Sequence, residues 1–371
     1  MIRRLLLLLH LLTSFAAVFA AEDVRIWQSV RGQRIEGSFV KAEGDKVVIQ
    51  RKNSKETVTV PREELMPPDT IYLEQLEKKN KPASGKPTAP RPAPGAAPAG
   101  PLPGDIADDE DVPGEPVKGH LYPRTKDEIR AALREIQQRD TPKGLDKEVH
   151  DAICRLNGYR YLSGVFSDVG TEPHMVEGAG DAAKACAAAG TISHSLGHST
   201  NKCNLSQGHH EMASTVDGYI GDGGDNNRAR RGHRRWCLNP PMQNAGFGRA
   251  GTFSAMWCMD SGGQKARTPC AYPGRGLYPR EYVHGNAWSF YMTGPLPAET
   301  KVRIWKLNSR PGQSIPWGEE PKGREIDVGY SFVYDNTINF EPDSKIHGKR
   351  GIYWVRVHGG SVREQYLTEL F

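Results

Sequence analysis

The sequence lacks several short motifs that mark common enzymes and metal sites. It has no CxxC pair, which excludes a zinc ribbon and a thioredoxin-type redox site. It has no GxSxG, the turn that carries the nucleophile of α/β-hydrolases. The zinc-protease helix HExxH is also absent, because "HHEMAS" has Ser214 where the second histidine belongs. These signatures therefore do not decide the function.

An excess of charge of one sign is also missing. The 371 residues include 49 Lys and Arg against 44 Asp and Glu, and both signs are spread along the chain. A dedicated nucleic-acid binder concentrates its basic residues on one face. The basic run "RARRGHRR" (228–235) has no interleaved aromatic side chains, so we expect a solvated or anion-facing loop there and no nucleic-acid partner.

Only the first segment contains a long apolar run. Residues 1–21 have a basic start, an apolar stretch and small residues at the end, which is typical of a secretory signal peptide cleaved after Ala20 or Ala21. The apolar stretch is shorter than the roughly 20 residues needed to span a bilayer. We therefore expect a protein that is secreted or periplasmic, in the cell envelope.

Cysteine is confined to one part of the chain. An even number of cysteines in an exported chain predicts disulfides that stabilise one domain, with the pairing left open. The six are Cys154, Cys186, Cys203, Cys237, Cys258 and Cys270.

After the signal peptide, composition divides the chain into four parts. Residues 22–78 alternate apolar and polar side chains between polar turns, which predicts a small β-barrel or meander with a closing helix. Residues 79–118 are rich in Pro, Ala and Gly and form a predicted disordered linker. Residues 119–265 begin with helical patterns. Residues 266–371 contain β-rich runs separated by Gly, Pro and Asn, which predict an antiparallel sheet or sandwich.

Helices are predicted in the third part from apolar residues at three- and four-residue spacing. This pattern covers 125–140, where Ile129, Leu133 and Ile136 share a face, and 146–165. An alanine-rich third helix over 181–192 and a fourth over 211–222 follow. His194 should then stand just beyond the third helix, Asp222 at the end of the fourth, and His233 at the head of a run that ends in a strand.

A series of motifs in this region carries a family resemblance. In order, these are "CRLNGYRYLSGV", "TISHS", "KCNLSQG", "VDGYIGDGGDNN", "GHRRWCLNP" and "AGFG". Over about 145–260 they resemble the CAP superfamily of cysteine-rich secretory, antigen-five and pathogenesis-related proteins, in its bacterial branch. The resemblance implies an α-β-α sandwich with a central antiparallel sheet.

A second resemblance covers the N-terminal part. The pattern from Trp27 through "VTVP" to "DTIYLEQL" is similar to the first Sla homology domain, a small SH3-like fold that binds Asn-Pro-Phe peptides in eukaryotic adaptors. The expected fold class is therefore multidomain: an SH3-like β-barrel, an α-β-α sandwich CAP domain and a C-terminal antiparallel β-sandwich. A protein or peptide partner is expected at the N-terminal module, and a lipid or another envelope component is a further candidate.

The CAP resemblance also implies site residues. His194 and His233 take the two histidine positions of the family cleft, and Asp222 stands at its second acidic position. Together they would hold a divalent metal such as zinc, since imidazole and carboxylate are common zinc ligands, and any catalysis would use the same three residues. The first acid of the family is replaced by Cys203 in "KCNL". A thiolate there would ligate zinc, whereas a disulfide would not, and the cysteine count favours the disulfide.

Three functions remain open on this basis. The resemblance favours a non-enzymatic exported binding protein, because the family shares no single reaction and one of its two acids is missing here. The first alternative is a metal-dependent, peptidase-like hydrolase of the cell envelope that activates a water at His194, His233 and Asp222. The second is a structural envelope module in which the cleft is vestigial.

Overall fold

The computed structural model divides the chain into two compact units, Met1–Gly95 and Ala96–Phe371, which are described separately. The predicted signal peptide and most of the predicted linker lie outside the described residues. The structure describes residues 25–28, 34–44, 46–52, 54, 56–61, 65, 73, 112, 114–209, 211–223, 227–263 and 268–371.

The N-terminal unit is an antiparallel sheet with its strands in chain order. The strands are β1 (Arg25–Gln28), β2 (Arg34–Glu43), β3 (Lys46–Arg51) and β4 (Thr57–Pro61). Alternation places Val47 and Ile49 on one buried face of the sheet, together with Trp27. Trp27 is 1% exposed, and its indole nitrogen donates a hydrogen bond to the Gly37 carbonyl (2.9 Å). Of the predicted closing helix, only residues 61, 65 and 73 are described.

The second unit begins with helices. Its described residues form α1 (Lys126–Gln137), α2 (Lys147–Ser163), α3 (Pro173–Ala189), α4 (Met212–Gly221) and α5 (Gly232–Cys237). Local signals set their ends: Thr125 and Glu128 form a capping box on α1, and left-handed Gly164 and Gly190 end α2 and α3. The first two were predicted from apolar spacing, the third from its alanine content over 181–192, and the fourth over 211–222. The third helix begins at Pro173, earlier than predicted. Among the described residues, no helix is both long and apolar enough to span a bilayer.

A small antiparallel sheet lies against α3. Its strands are β5 (Cys203–Gln207), β6 (Gly246–Ala250) and β7 (Phe253–Trp257), in the order β5-β7-β6. Gly246 and Gly248 of β6 face the backbone of α3 so closely that a methyl group on either would overlap it. These two glycines therefore set the distance between the helix and the sheet.

The C-terminal part is formed by two larger sheets. Their orders are β13-β14-β10-β8 and β12-β11-β15-β16-β9, and every pairing is antiparallel except that of β9 with β16. The strands are β8 (Cys270–Tyr272), β9 (Gly276–Tyr278), β10 (Trp288–Tyr291), β11 (Lys301–Leu307), β12 (Gly323–Ile326), β13 (Val328–Tyr334), β14 (Thr337–Pro342), β15 (Gly351–Gly359) and β16 (Val362–Leu370).

The predicted fold class is wrong. The described residues form four sheets and only five helices, so the chain is mostly β rather than an SH3-like barrel, an α-β-α sandwich CAP domain and a β-sandwich in series. The CAP resemblance covered only about 145–260, and the β-branched and aromatic runs outside that segment supply most of the regular structure. Leu156 and Tyr159 of α2 belong to the same hydrophobic core as Trp288 and Trp354 of the C-terminal strands.

Candidate functional site

Asp222 connects the end of one helix to the start of the next. It follows α4 in a left-handed conformation (φ 44°), which Asp tolerates better than most residues. Its Oδ2 accepts hydrogen bonds from the backbone N–H groups of His233 (2.9 Å) and Arg234 (3.3 Å), which begin α5. The Asp222 side chain is 1% exposed. Its carboxylate therefore accepts hydrogen bonds from N–H groups at the start of α5 that have no acceptor within the helix.

The same carboxylate orients the ring of His233. Asp222 Oδ1 lies 3.1 Å from His233 Nδ1, and the Asn227 side-chain amide nitrogen lies 3.4 Å from that ring nitrogen. Because the carboxylate is the closer group and only accepts, Nδ1 carries the proton and Nε2 keeps a free lone pair. The ring packs against Tyr219, with centroids 5.4 Å apart, and the side chain is 22% exposed. His233 lies in a helix, not at the head of a strand run as predicted.

His194 has the same arrangement in an exposed turn after α3. Its Nδ1 lies 2.9 Å from the carbonyl oxygen of Thr200. Since a carbonyl only accepts, Nδ1 donates and Nε2 again remains available. The turn contains three consecutive left-handed residues, Gly197 (φ 72°), His198 (φ 47°) and Ser199 (φ 64°). Backbone of this kind is costly for His and Ser and often occurs at functional sites.

Residues 200–204, which lead into β5, contact both histidines. Thr200, the partner of His194, begins the short 3₁₀ turn that leads into the strand. Four residues later, Asn204 donates from its side-chain amide to the backbone carbonyl of His233 (3.0 Å). The structure thus brings Asp222 and His233 into direct contact, and it connects the His194 turn to His233 through one short segment.

Cys203 has no polar role in this arrangement. It is 3% exposed and packs in an apolar cluster with Cys186, Leu205 and Trp257. Burial raises the pKa of its thiol to about 12, and the neighbouring Cys186 acts in the same direction. A neutral thiol is not the zinc ligand that a thiolate would be. The position that the CAP resemblance assigns to an acid is therefore apolar here.

All six cysteines are buried free thiols in this structure. The disulfides expected from their number stay a prediction.

The donor set decides which kind of metal site could form. Within the residues that the structure describes, no group of three or more His, Cys, Asp or Glu side chains is placed to hold an ion. Both oxygens of Asp222 are already engaged, by the backbone of α5 and by the ring of His233. A closed zinc site with four protein ligands does not fit these residues.

The basic run around His233 is not the solvated or anion-facing loop that its sequence suggested. Arg231 and Arg234 are 2% and 0% exposed. Arg231 pairs with Glu341 of β14, and Arg234 donates to the Ser289 hydroxyl of β10 (2.8 Å). These arginines therefore fix the helix that carries His233 to the C-terminal sheet. No local pattern in the sequence identified Glu341 or Ser289, because each lies more than 50 residues away.

Comparison with protein-family models, with curated proteins and with solved structures finds no match to this chain.

Proposed function

We propose that this chain is an exported, non-enzymatic binding protein that holds a divalent cation, zinc for example, at the imidazoles of His194 and His233. The observation that carries this proposal is common to both rings. Each has Nδ1 engaged by an oxygen acceptor, Thr200 O at 2.9 Å or Asp222 Oδ1 at 3.1 Å. Metal-ligating histidines usually have this outer partner, which fixes the tautomer and turns Nε2 toward the ion.

Asp222 is the positioning residue of the site rather than a ligand. Its Oδ2 accepts two backbone N–H groups and its Oδ1 faces the ring of His233. Moving this carboxylate onto a metal would leave buried donors at the start of α5 without an acceptor, at a cost of about 1–3 kcal/mol. The ion would therefore have two protein ligands and exchangeable water, and when bound it would supply a Lewis-acidic contact for an oxygen-bearing partner.

Binding is favoured over hydrolysis by the chemistry of the neighbouring groups. A peptidase-like reaction at this position needs a carboxylate that is free to take a proton from water. Asp222 is committed to hydrogen bonds, and the other acidic position holds the buried thiol of Cys203. A hydrolase and a purely structural module remain the two alternatives that the experiment below separates from binding.

The family and the location of the protein belong to the same proposal. The ordered motifs over 145–260 support membership of the CAP superfamily, and residues 1–21 support export. The N-terminal module is proposed to contact a peptide or another envelope component, because it is a separate compact unit with its own buried core around Trp27.

The test is a calorimetric titration of Zn²⁺ into the mature protein after dialysis against a chelator. We expect one ion per chain, at least tenfold weaker binding in His194→Ala and in His233→Ala, and no binding in the double variant. His358→Ala, which changes a ring on β15, is the control and should bind zinc normally. Binding should weaken as the pH falls, because a metal-ligating imidazole must be deprotonated.

Two other results would overturn the proposal. Chelator-sensitive hydrolysis of casein that is lost in His233→Ala would show the hydrolase instead. If zinc does not bind, or binds equally to wild type and to the double variant, the structural envelope module would be the function that remains.

A further inference from the structure

A cavity of about 320 Å³ lies between the end of α5, the start of β8, the end of β10 and the turn between β13 and β14. Its buried surface consists of Leu238, Cys270 and Tyr291, which are 1%, 5% and 5% exposed. Three prolines complete its walls: Pro240, Pro241 and Pro295. Proline has a fixed φ, which restricts the backbone of these walls. Its volume is at the lower end of the range of small-molecule sites.

The entrance of the cavity holds one charge of each sign. Arg235 of α5 forms an ion pair with Asp335, and their side chains are 33% and 53% exposed. The Arg235 guanidinium also lies over the ring of Tyr334, 4.9 Å from its centroid. The turn that carries Asp335 is held in place by Asn336, which donates to the Met292 carbonyl (2.8 Å). Both charged groups are therefore positioned on fixed elements and remain open to solvent.

We infer that this cavity binds a free α-amino acid with an apolar side chain. The ligand replaces the exposed ion pair of Arg235 and Asp335: its carboxylate takes Arg235, its ammonium group takes Asp335, and its side chain enters between Leu238, Tyr291 and the prolines. The geometry matches a zwitterion because the charges at the entrance are opposite and adjacent. A simple anion would leave Asp335 beside it as a like charge. The site is separate from the proposed metal site and uses none of its residues.

The experiment is equilibrium binding of L-leucine to the full mature protein in the presence of a chelator, compared with L-leucinamide and N-acetyl-L-leucine. The amide lacks the carboxylate and the acetyl derivative lacks the ammonium group. We expect each derivative to bind about tenfold more weakly or worse than leucine, since a hydrogen bond to a charged group contributes about that factor. Equal binding of all three, or no binding of leucine at millimolar concentration, would overturn the inference.

Paired variants assign each charge to its residue. Arg235→Gln should weaken leucine at least tenfold while changing leucinamide little, and Asp335→Asn should weaken leucine while changing N-acetyl-leucine little. Asp168→Asn removes the exposed partner of Arg139 (2.7 Å) and is the control. Thermal unfolding of each variant verifies that it is folded. The His194→Ala/His233→Ala double variant should bind leucine normally, so failure of the metal proposal and failure of this one are distinguishable. Loss of leucine binding in Asp168→Asn, or no loss in either entrance variant, would refute the assignment.

Discussion

Asp222 caps α5 and orients His233 with a single carboxylate. Oδ2 lies 2.9 Å from the backbone nitrogen of His233, and Oδ1 lies 3.1 Å from Nδ1 of its ring. A change in the tautomer or the angle of the ring would therefore lose its contact with the carboxylate. Helix stability and the orientation of the imidazole depend on the same residue.

Replacing Asp222 should affect stability and the site together. Asp222→Ala removes the cap and leaves buried N–H groups unpaired, so we expect a loss of about 2 kcal/mol in the free energy of unfolding. Asp222→Asn keeps an acceptor for the backbone and should lose less than half of that. Urea denaturation measures both variants. Equal stability of Asp222→Ala and wild type would mean that the cap contributes nothing.

The contact between α5 and the C-terminal sheet should be stabilised more by the buried Arg231 than by the exposed Arg228. Arg231 and Glu341 form a pair with 2% and 10% exposed side chains, whereas the side chain of Arg228, which also pairs with Glu341, is 48% exposed. Arg231→Met removes one partner of a buried ion pair and should cost about 3 kcal/mol. Arg228→Gln is the matched control and should cost less than about 1 kcal/mol. Similar losses in the two variants would contradict this account.

The sequence was sufficient for local features and insufficient for long-range ones. The spacing of Ile129, Leu133 and Ile136 predicted α1, and the end of α4 at Asp222 followed from the Gly-rich stretch after it. The fold class could not be obtained this way. It depends on how β8 to β16 pair, and pairings such as that of β9 with β16 join residues about 90 positions apart.

Cys203 and the run 228–235 also depend on contacts that the sequence does not reveal. The sequence allows Cys203 to be a zinc ligand or a disulfide partner, because it does not reveal that this side chain packs against Leu205 and Trp257. The run 228–235 looked like a solvated loop because arginines are usually exposed. Its two buried arginines are satisfied by Glu341, Ser289 and backbone carbonyls, which only the folded chain brings near.

The six cysteines should be unreactive until the protein unfolds. Burial raises the pKa of the Cys203 and Cys270 thiols to about 12, so almost no thiolate is present at neutral pH. Titration with a thiol reagent at about pH 8 should therefore detect no reaction in the native protein. In denaturant without reductant, six thiols would correspond to the free cysteines of this structure. Four or fewer thiols in denaturant would instead support the disulfides that the cysteine count predicted.

Acid should destabilise the second unit partly through His284. Burial holds the pKa of its ring below the usual 6.5, although Asp217 at 3.8 Å acts in the opposite direction. The unfolded chain then binds more protons than the folded one, so stability present above about pH 6.5 is lost as the pH falls toward the folded pKa.

His284→Gln should therefore make unfolding free energy less dependent on pH between about 7 and 5. His347 and His358, whose pKa values burial also lowers, would leave a residual slope. The exposed His120→Gln is the control. An unchanged slope in His284→Gln would exclude this residue as a source of acid sensitivity.

The contact between α3 and β6 should tolerate no side chain on the strand. A methyl group on Gly248 would overlap the backbone of Ala179 and Gly180, and backbone cannot move aside as a flexible side chain does. Gly248→Ala should therefore lower the free energy of unfolding by about 3 kcal/mol, at the upper end of the range for overpacking. Gly180→Ala is the matched control from the opposite side of the contact, because its methyl group would meet nothing within 4 Å. That change should stabilise the protein by about 0.5–1 kcal/mol through helix propensity. Urea denaturation compares the two, and a Gly248→Ala variant as stable as wild type would show that the helix and the strand are not in direct backbone contact.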